Sequence, residues 1–403
     1  MEVRAMRIMW YSNSPWTKTG YGAMTATFVP RIQSLGHEMA IHAWYGLLGG
    51  ALHWGKIPVY PLASKNPYGL DVIAAHSHHF KADITITLLD AWIFEPSLFV
   101  HGMRWCPWFP IDMQPIPPLV LKRTAASYQP IVYSRYAERE ALRAGLDVLY
   151  VPHGVDTKVF AQMHEAKARE YTRLPTDKFV VGMVAANKGN SPSRKAFEPS
   201  LRAFRDFHRR HPDTLLYLHT QMSDEDQGIN LPELLGVLGL QLGRDVLAVN
   251  DYDFRLGLPP EYVAALYNSM DVLLACSMGE GFGVPILEAQ ACGTPVITGA
   301  WSAMPEITWR GAMVDRNGAE PFYTGLASYY MQPRADAIAD ALEQVYAKTW
   351  VRNVPDQVKA YDADYVTQTY WKPALDAIAD RLELERPTTP AVSEPVHSEL
   401  VLA

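Results

Sequence analysis

Cysteine is scarce in this chain. Cys106, Cys276 and Cys292 are the three among 403 residues, and no two stand in a CxxC spacing. An odd, sparse set argues against a disulfide framework or a zinc site and fits a reducing compartment. No apolar run reaches the roughly 18 residues that a membrane-spanning helix needs. The opening MEVRAMRIMWYSN turns polar too early for a signal peptide. The expectation is a cytoplasmic protein, with peripheral membrane contact left open. A basic excess is missing too, since 36 Lys and Arg face 43 Asp and Glu, a formal charge of −7. The global basic footprint of a duplex nucleic-acid binder is therefore absent, although a local positive patch for an anionic ligand is not excluded. The dinucleotide pattern GxGxxG is lacking at TKTGYGAM, residues 17–24, and no acidic residue closes the strand-like HEMAIHAW that follows. Both absences argue against NAD.

What is present is an alternation of apolar runs and helical stretches. A chain of 403 residues is long for one core and suits two domains of about 150–200 residues. Apolar residues make up 48 %; the 11 Trp and 21 Tyr belong either to a core or to the walls of a polar cleft. MRIMWYS, residues 6–12, reads as a strand, TATFVPRIQS as a helix stopped at Gly36, and HEMAIHAW as the next strand. DVIAAHSHH and DITITLLDA continue the series, and PIVYSRYAEREALRAG gives a strand end and a helix closed by Gly145. Residues 165–178 are polar, contain a proline, and read as a linker. A second series starts at FVVGMVAA, residues 179–186, and runs through a helix around 196–210, TLLYLHTQ, DVLAVNDY, a helix near 260–269, DVLLACS and TPVITG. Such runs, bounded by glycine and proline, indicate a mostly parallel sheet in each of two similar α/β halves. Residues 331–384 are helical in character, and the Pro-rich polar tail RPTTPAVSEPVHSELVLA is expected to be disordered.

Two stretches carry candidate chemistry. In GEGFGVPILEAQ, residues 279–290, the strand DVLLACS ends near Ser277, a glycine-rich turn follows, and a helix starts at about Pro285. Glu280 then lies above the carboxyl end of a strand, where open α/β sheets bind ligands. Glu288 falls about one turn into the helix, facing the same crevice. Gly281 and Gly283 let backbone N–H groups approach a ligand, and the helix start favours a phosphate. Two carboxylates accept hydrogen bonds from vicinal hydroxyls, so one phosphorylated, polyhydroxylated ligand satisfies the constellation. The competing account is a solvated loop glutamate and a second one stabilised by the helix dipole. In NKGNSPSRKAFEPSLRAF, Arg194 and Lys195 stand at a helix start, where cations oppose the dipole. A pyrophosphate in the crevice would reward them. His76, His78 and His79 invite a metal reading, but no carboxylate or cysteine partner is marked, and no metal site is expected.

The stretch GEGFGVPILEAQACGTPVITG resembles the E-x7-E signature of the retaining glycosyltransferases of family 4. The resemblance implies an α/β protein of GT-B fold, two Rossmann-like domains facing each other across a cleft. It implies residues 1–165 on the acceptor side, 166–365 on the donor side, a helix at 366–385 returning to the first domain, and a tail at 386–403. Glu280 would contact the donor sugar and Glu288 the ribose, with Gly281, Phe282, Gly283 and Val284 between them. SRKA resembles the family's R-K-G segment, with Ala196 at the glycine. Lys195 would meet the donor diphosphate, and Arg194 or Lys188 would supply the second cation, the earlier position falling near Asn187. Gly20 and Gly22 resemble the family's glycine loop beside the donor phosphates. Asp112 stands where many members have a histidine, which leaves it between an acceptor or sugar hydroxyl partner and a turn aspartate. VPHGVD resembles the interdomain VPNGVD, with His153 for asparagine, Gly154 in a turn and Asp156 fixing the loop. His219–Gln221 and Tyr252–Arg255 fall where the family holds its base, and Asp90 ends a strand.

The resemblance implies transfer of a sugar from a UDP- or GDP-linked donor to a hydroxyl acceptor with retention, without a metal. Glu280, Lys195, Arg194 and Asp112 are the candidate catalytic residues. The acceptor, whether glycan, lipid-linked sugar, protein or modified nucleobase, stays open. A nucleotide-sugar epimerase and a non-catalytic sugar-nucleotide binder are the alternatives.

Overall fold

The computed structural model describes residues 5–99, 102–189, 192–348 and 350–385; the expected disordered tail lies outside the described residues. The apolar runs of the first 150 residues become eight strands. These are β1 (Arg7–Asn13), β2 (Glu38–Tyr45), β3 (Leu52–Trp54), β4 (Ile57–Pro61), β5 (Ile84–Leu88), β6 (Trp105–Phe109), β7 (Ile131–Val132) and β8 (Leu149–Tyr150). They form one sheet in the order β3-β4-β2-β1-β5-β6-β7-β8. Every pairing is parallel except β3 with β4. Ile8 to Tyr11 are fully buried, as expected of a central strand covered on both faces. Met9 aligns with Ala40 on one side and Thr85 on the other.

The second series gives β9 (Phe179–Val184), β10 (Thr214–His219), β11 (Val246–Ala248), β12 (Val272–Leu274), β13 (Val296–Gly299) and β14 (Gly311–Val314). Their order is β11-β10-β9-β12-β13-β14, all parallel. In both sheets the first strand is flanked by partners whose connections run to opposite sides, β1 by β2 and β5, β9 by β10 and β12. Such switch points open a crevice at the carboxyl ends of the strands. Residues Ala319–Tyr323 (β15) and Tyr329–Pro333 (β16) form a separate antiparallel hairpin.

Several expectations need correction. Residues 165–178 are not a bare linker, because Glu165–Thr172 is a helix. It reads as polar because its buried side chains include Arg169, whose guanidinium donates to the carbonyls of Ser269, Pro175 and Lys178 and to Asp271. DVIAAHSHH contributes the helix Ile73–Phe80 and DITITLLDA the strand β5. The first helix begins at Gly20, ahead of TATFVP, because Thr19 caps it by accepting from the Gly22 N–H.

The C-terminal segment returns to the first sheet. Trp371 is fully buried, with ring centroids 5.8 Å from Trp10, 4.9 Å from Trp108 and 6.1 Å from Phe28. The helix Lys372–Leu384 continues this contact, Arg381 donating to the Tyr128 carbonyl at 2.5 Å. Among the described residues no helix is long and apolar enough to cross a membrane.

Candidate active site

Four loops meet at the carboxyl ends of the two sheets. The loop after β12 carries Glu280, that after β9 carries Arg194 and Lys195, that after β6 carries Asp112, and that after β13 carries Ser302. Glu280 Oε1 accepts from Lys195 Nζ at 2.5 Å and from Ser277 Oγ at 2.6 Å. Its Oε2 accepts from Arg194 Nη1 at 3.2 Å, and the same nitrogen donates to the Gly279 carbonyl. The backbone supports this pairing, since Met278 N–H donates to the Arg194 carbonyl at 2.8 Å and Glu280 N–H to Ser302 Oγ at 3.0 Å. From the first sheet, Asp112 Oδ2 lies 3.8 Å from Arg194 Nη1 and accepts from the Tyr330 hydroxyl at 3.1 Å.

Charge follows from this geometry. Burial by itself would raise the Glu280 carboxyl; the charges of Lys195 and Arg194 and the hydrogen bonds from Lys195 and Ser277 outweigh it and bring it down to about 2. Burial raises Asp112 against the pull of Arg194. Burial, then the charge of Asp112, pushes Asp90 up to about 6. Both cations are engaged with Glu280, so an incoming diphosphate would share them with it.

The glycines beside Glu280 have a reason other than the expected approach of a ligand. A Cβ on Gly279 would meet the Asp112 carbonyl at 2.3 Å, and one on Gly281 would meet Pro110 Cβ at 2.6 Å and Tyr133 Cε2 at 2.9 Å. The loop after β6 presses on the loop after β12, and only glycine fits between them. Ala196 (φ +53°) and Ser302 (φ +52°) adopt the left-handed conformation without being glycine. Such strain gathers at functional sites.

The other candidates fall in different places. Glu288 is half-buried on the helix Val284–Ala291, and its Oε2 accepts from Tyr267 OH at 2.9 Å. Burial raises its carboxyl to about 7, against the Tyr267 hydrogen bond. Among the described residues it shares no hydrogen bond or ion pair with the Glu280 group. Val284 opens this helix, and Gly283 precedes it at φ +100°. The Phe282 ring is buried against His153 and Tyr361, so the side chain is committed to packing. Gly20 and Gly22 lie in the first turn of the helix Gly20–Ser34 rather than in an open loop. Lys188 is exposed after β9 and makes no ion pair with Glu280, while Asn187 Nδ2 ties that loop to the carbonyls of Gln221, Ser223 and Ile229.

His153 is buried between the sheets, its ring 4.1 Å from Tyr133 and 4.5 Å from Trp108, and burial lowers it to about 3. Asp156 accepts from the Lys158 N–H at 3.0 Å and pairs with Arg31, which holds its loop. His219 packs against Phe254, while Tyr252 is exposed and Arg255 pairs with Glu225. His76 and His79 bond the Pro61 carbonyl and Tyr60, with His78 on the same helix. Among the described residues no group of three or more His, Cys, Asp or Glu is placed to hold a metal ion.

Sequence reasoning missed Tyr21, Tyr133 and Tyr330. Tyr21 and Tyr133 lie close to each other and to Asp90 and Asp112. Tyr21 had a signal, standing between the two glycines of TGYG; Tyr330 had none, since the hairpin reads as neither core strand nor helix.

Residues 189–348 match the family model of the group 1 glycosyl transferases. The D-inositol 3-phosphate glycosyltransferase of Acidothermus cellulolyticus is 28 % identical over 219 residues, 52 % of this chain and 47 % of that protein. A GDP-mannose-dependent alpha-(1-6)-phosphatidylinositol monomannoside mannosyltransferase of Mycolicibacterium smegmatis is 27 % identical over 254 residues, 59 % of this chain and 60 % of that protein. The chain thus spans about half the length of the curated relatives it matches. Among solved structures, sucrose-phosphate synthase from Thermosynechococcus elongatus superimposes with a TM-score of 0.68 at 17 % identity, over 94 % of this chain and 99 % of that one. The Anabaena protein HepE, solved with UDP and glucose, gives a TM-score of 0.63 at 16 % identity, over 94 % and 99 %. These likenesses identify the facing sheets as the GT-B fold. Through residues 189–348, the chain is thus similar to the group 1 glycosyl transferases.

Proposed function

We propose that this protein transfers a sugar from a nucleotide-sugar donor to a hydroxyl acceptor with retention at the anomeric carbon. The observation that carries the reading is the convergence of Arg194, Lys195 and Glu280 at one crevice, with Asp112 facing them from the first sheet. Glu280 accepts hydrogen bonds from donor sugar hydroxyls. Arg194 and Lys195 stabilise charge on the departing diphosphate, the kind of preorganised electrostatic term that contributes most to many enzymes. The helix start at Gly283 and Val284 offers N–H groups to a phosphate, and Glu288 accepts from the ribose hydroxyls. The acceptor attacks from the face the diphosphate leaves, and its proton passes to a diphosphate oxygen. Asp112 then positions a hydroxyl rather than acting as an obligatory base.

Residues 1–165 serve the acceptor side, 166–365 the donor side, and 366–385 tie the chain back to the first. Two cations supply the charge that a diphosphate needs, so the reading includes no metal. UDP-glucose was solved with HepE and GDP-mannose is named for the mycobacterial relative, which makes these two donors the first to try. A cytoplasmic setting belongs to the proposal, in keeping with three free, buried cysteines.

The test is incubation with each donor, following protein melting and release of UDP or GDP with and without acceptors. Donor-dependent stabilisation and acceptor-dependent nucleotide release are expected. Isomerised donor without acceptor would indicate an epimerase, and binding without turnover a scaffold; either result overturns the proposal.

A further inference from the structure

The hairpin β15–β16 bridges the crevice. Tyr329 exchanges backbone hydrogen bonds with Gln114 at 3.0 and 3.1 Å, and Ser328 Oγ donates to the Pro115 carbonyl. On the other side, Met331 N–H donates to the Met278 carbonyl at 3.0 Å, two residues before Glu280. The hairpin is thereby fastened to the first domain and to the Glu280 loop at once. Beside it lies a cavity of about 420 Å³. That volume falls in the range of about 300–1,000 Å³ usual for small-molecule sites.

The lining has a specific chemistry. Tyr136, Trp301, Tyr329 and Tyr330 border the cavity. The Trp301 ring is held in place because its Nε1 donates to the Ser277 carbonyl at 3.0 Å. Fixed aromatic faces suit the C–H face of a sugar ring and leave its hydroxyls free to hydrogen-bond. Two lining residues carry charge, Asp112 and Arg316. Asp112 connects the cavity to Arg194, and through it to Glu280. Arg316 is exposed and forms no ion pair among the described residues. An uncommitted guanidinium can take a carboxylate or phosphate in a two-pronged contact.

We propose that this cavity is the acceptor subsite, and that it takes a sugar bearing an anionic group, with the reacting hydroxyl directed to Asp112 and the anion to Arg316. The inference rests on the glycosyltransferase reading above and adds to it the class of acceptor. In the reaction, the acceptor oxygen forms its bond to the donor's anomeric carbon. The bond from that carbon to the diphosphate oxygen breaks, its electron pair stays on the nucleoside diphosphate, and the hydroxyl proton goes to that diphosphate. The hairpin supplies part of the acceptor's binding wall.

The test is titration of the full chain with glucose 6-phosphate, glucuronic acid and glucose, followed by ligand-observed NMR, without donor and then with UDP. At least one anionic sugar is expected to bind tenfold or more tightly than glucose, and the two arms tell phosphate from carboxylate. Arg316→Gln should abolish that preference, Arg316→Lys should restore part of it, and Tyr329→Ala should weaken all three sugars; melting curves establish that each variant is folded. Equal binding of charged and neutral sugars, an unchanged preference in Arg316→Gln, or displacement of UDP by the anionic sugar would each overturn the proposal. Because the first titration uses no donor, its outcome is separate from failure of either nucleotide sugar to bind, which would strike the earlier reading instead.

Discussion

Lys195 donates to Glu280 across 2.5 Å although 85 positions separate them in the chain. The contact exists because β9 and β12 are neighbours in the second sheet, so the loops at their carboxyl ends share one crevice. It is the innermost of a chain of polar contacts that runs on through Arg194 to Asp112 and Tyr330.

Replacing Glu280 tests the proposed role directly. Glu280→Gln keeps the shape and one acceptor oxygen but removes the charge that two cations face. Transfer is expected to fall by about 10²–10³, the size of losing one preorganised electrostatic contact. Nucleotide binding, measured by calorimetry with UDP or GDP, should be largely kept. An unchanged kcat/KM would remove Glu280 from the mechanism.

Two glutamates give opposite pH dependences of stability. Glu280 is held near 2, below its ordinary 4.5, so its stabilising contribution is present above about 4.5 and is lost as pH falls toward 2. Glu288 is raised to about 7, so its contribution is full below its ordinary 4.5 and is lost as pH rises through about 7. Denaturant unfolding at pH 5 and pH 8 should therefore show a loss in the native protein that is smaller in Glu288→Gln. Identical pH profiles would place the Glu288 carboxyl in water.

Gly281→Ala probes the contact between the two domains. The added Cβ would press on Pro110 and Tyr133 within 3 Å. Overpacking of this kind costs about 1–3 kcal/mol. A lower melting temperature together with weaker transfer is expected, the second because Asp112 moves with the same loop. A variant that melts and turns over as the parent does would show that the cleft relaxes freely.

Trp371→Ala should be among the most destabilising changes in the chain. Its ring packs on Trp10, Trp108 and Phe28, and removing a buried aromatic of this size costs about 3–5 kcal/mol. The expected readout is a large fall in the unfolding midpoint, with loss of the tie between the C-terminal segment and the first sheet. A shift under 1 kcal/mol, roughly what a surface site would give, would contradict the packing.

The sequence was informative wherever one local pattern decides an outcome. Strand runs such as MRIMWYS and FVVGMVAA, and the helices near 197–210 and 260–269, follow from the spacing of apolar residues and from glycine and proline at the ends. It misled at Arg169, since a buried arginine reads as a polar linker until its carbonyl and carboxylate partners are known. The same limit hid the hairpin, whose half-exposed strands pair with each other and with Gln114 rather than with either sheet.

The alternation of strands and helices in the two sheets, the glycine-broken turn around Glu280 and the cation pair at 194–195 were determined by sequence alone, because each depends on residues close together in the chain. The partnership of those cations with Glu280, the pressure of Asp112 on Gly279, the burial of Trp371 against the first sheet and the cavity beside Tyr329 were decided by tertiary structure. Each of these joins segments far apart in sequence, brought within a few ångströms by strand order within a sheet, by loops of the two sheets that meet at their carboxyl ends, or by packing on a sheet.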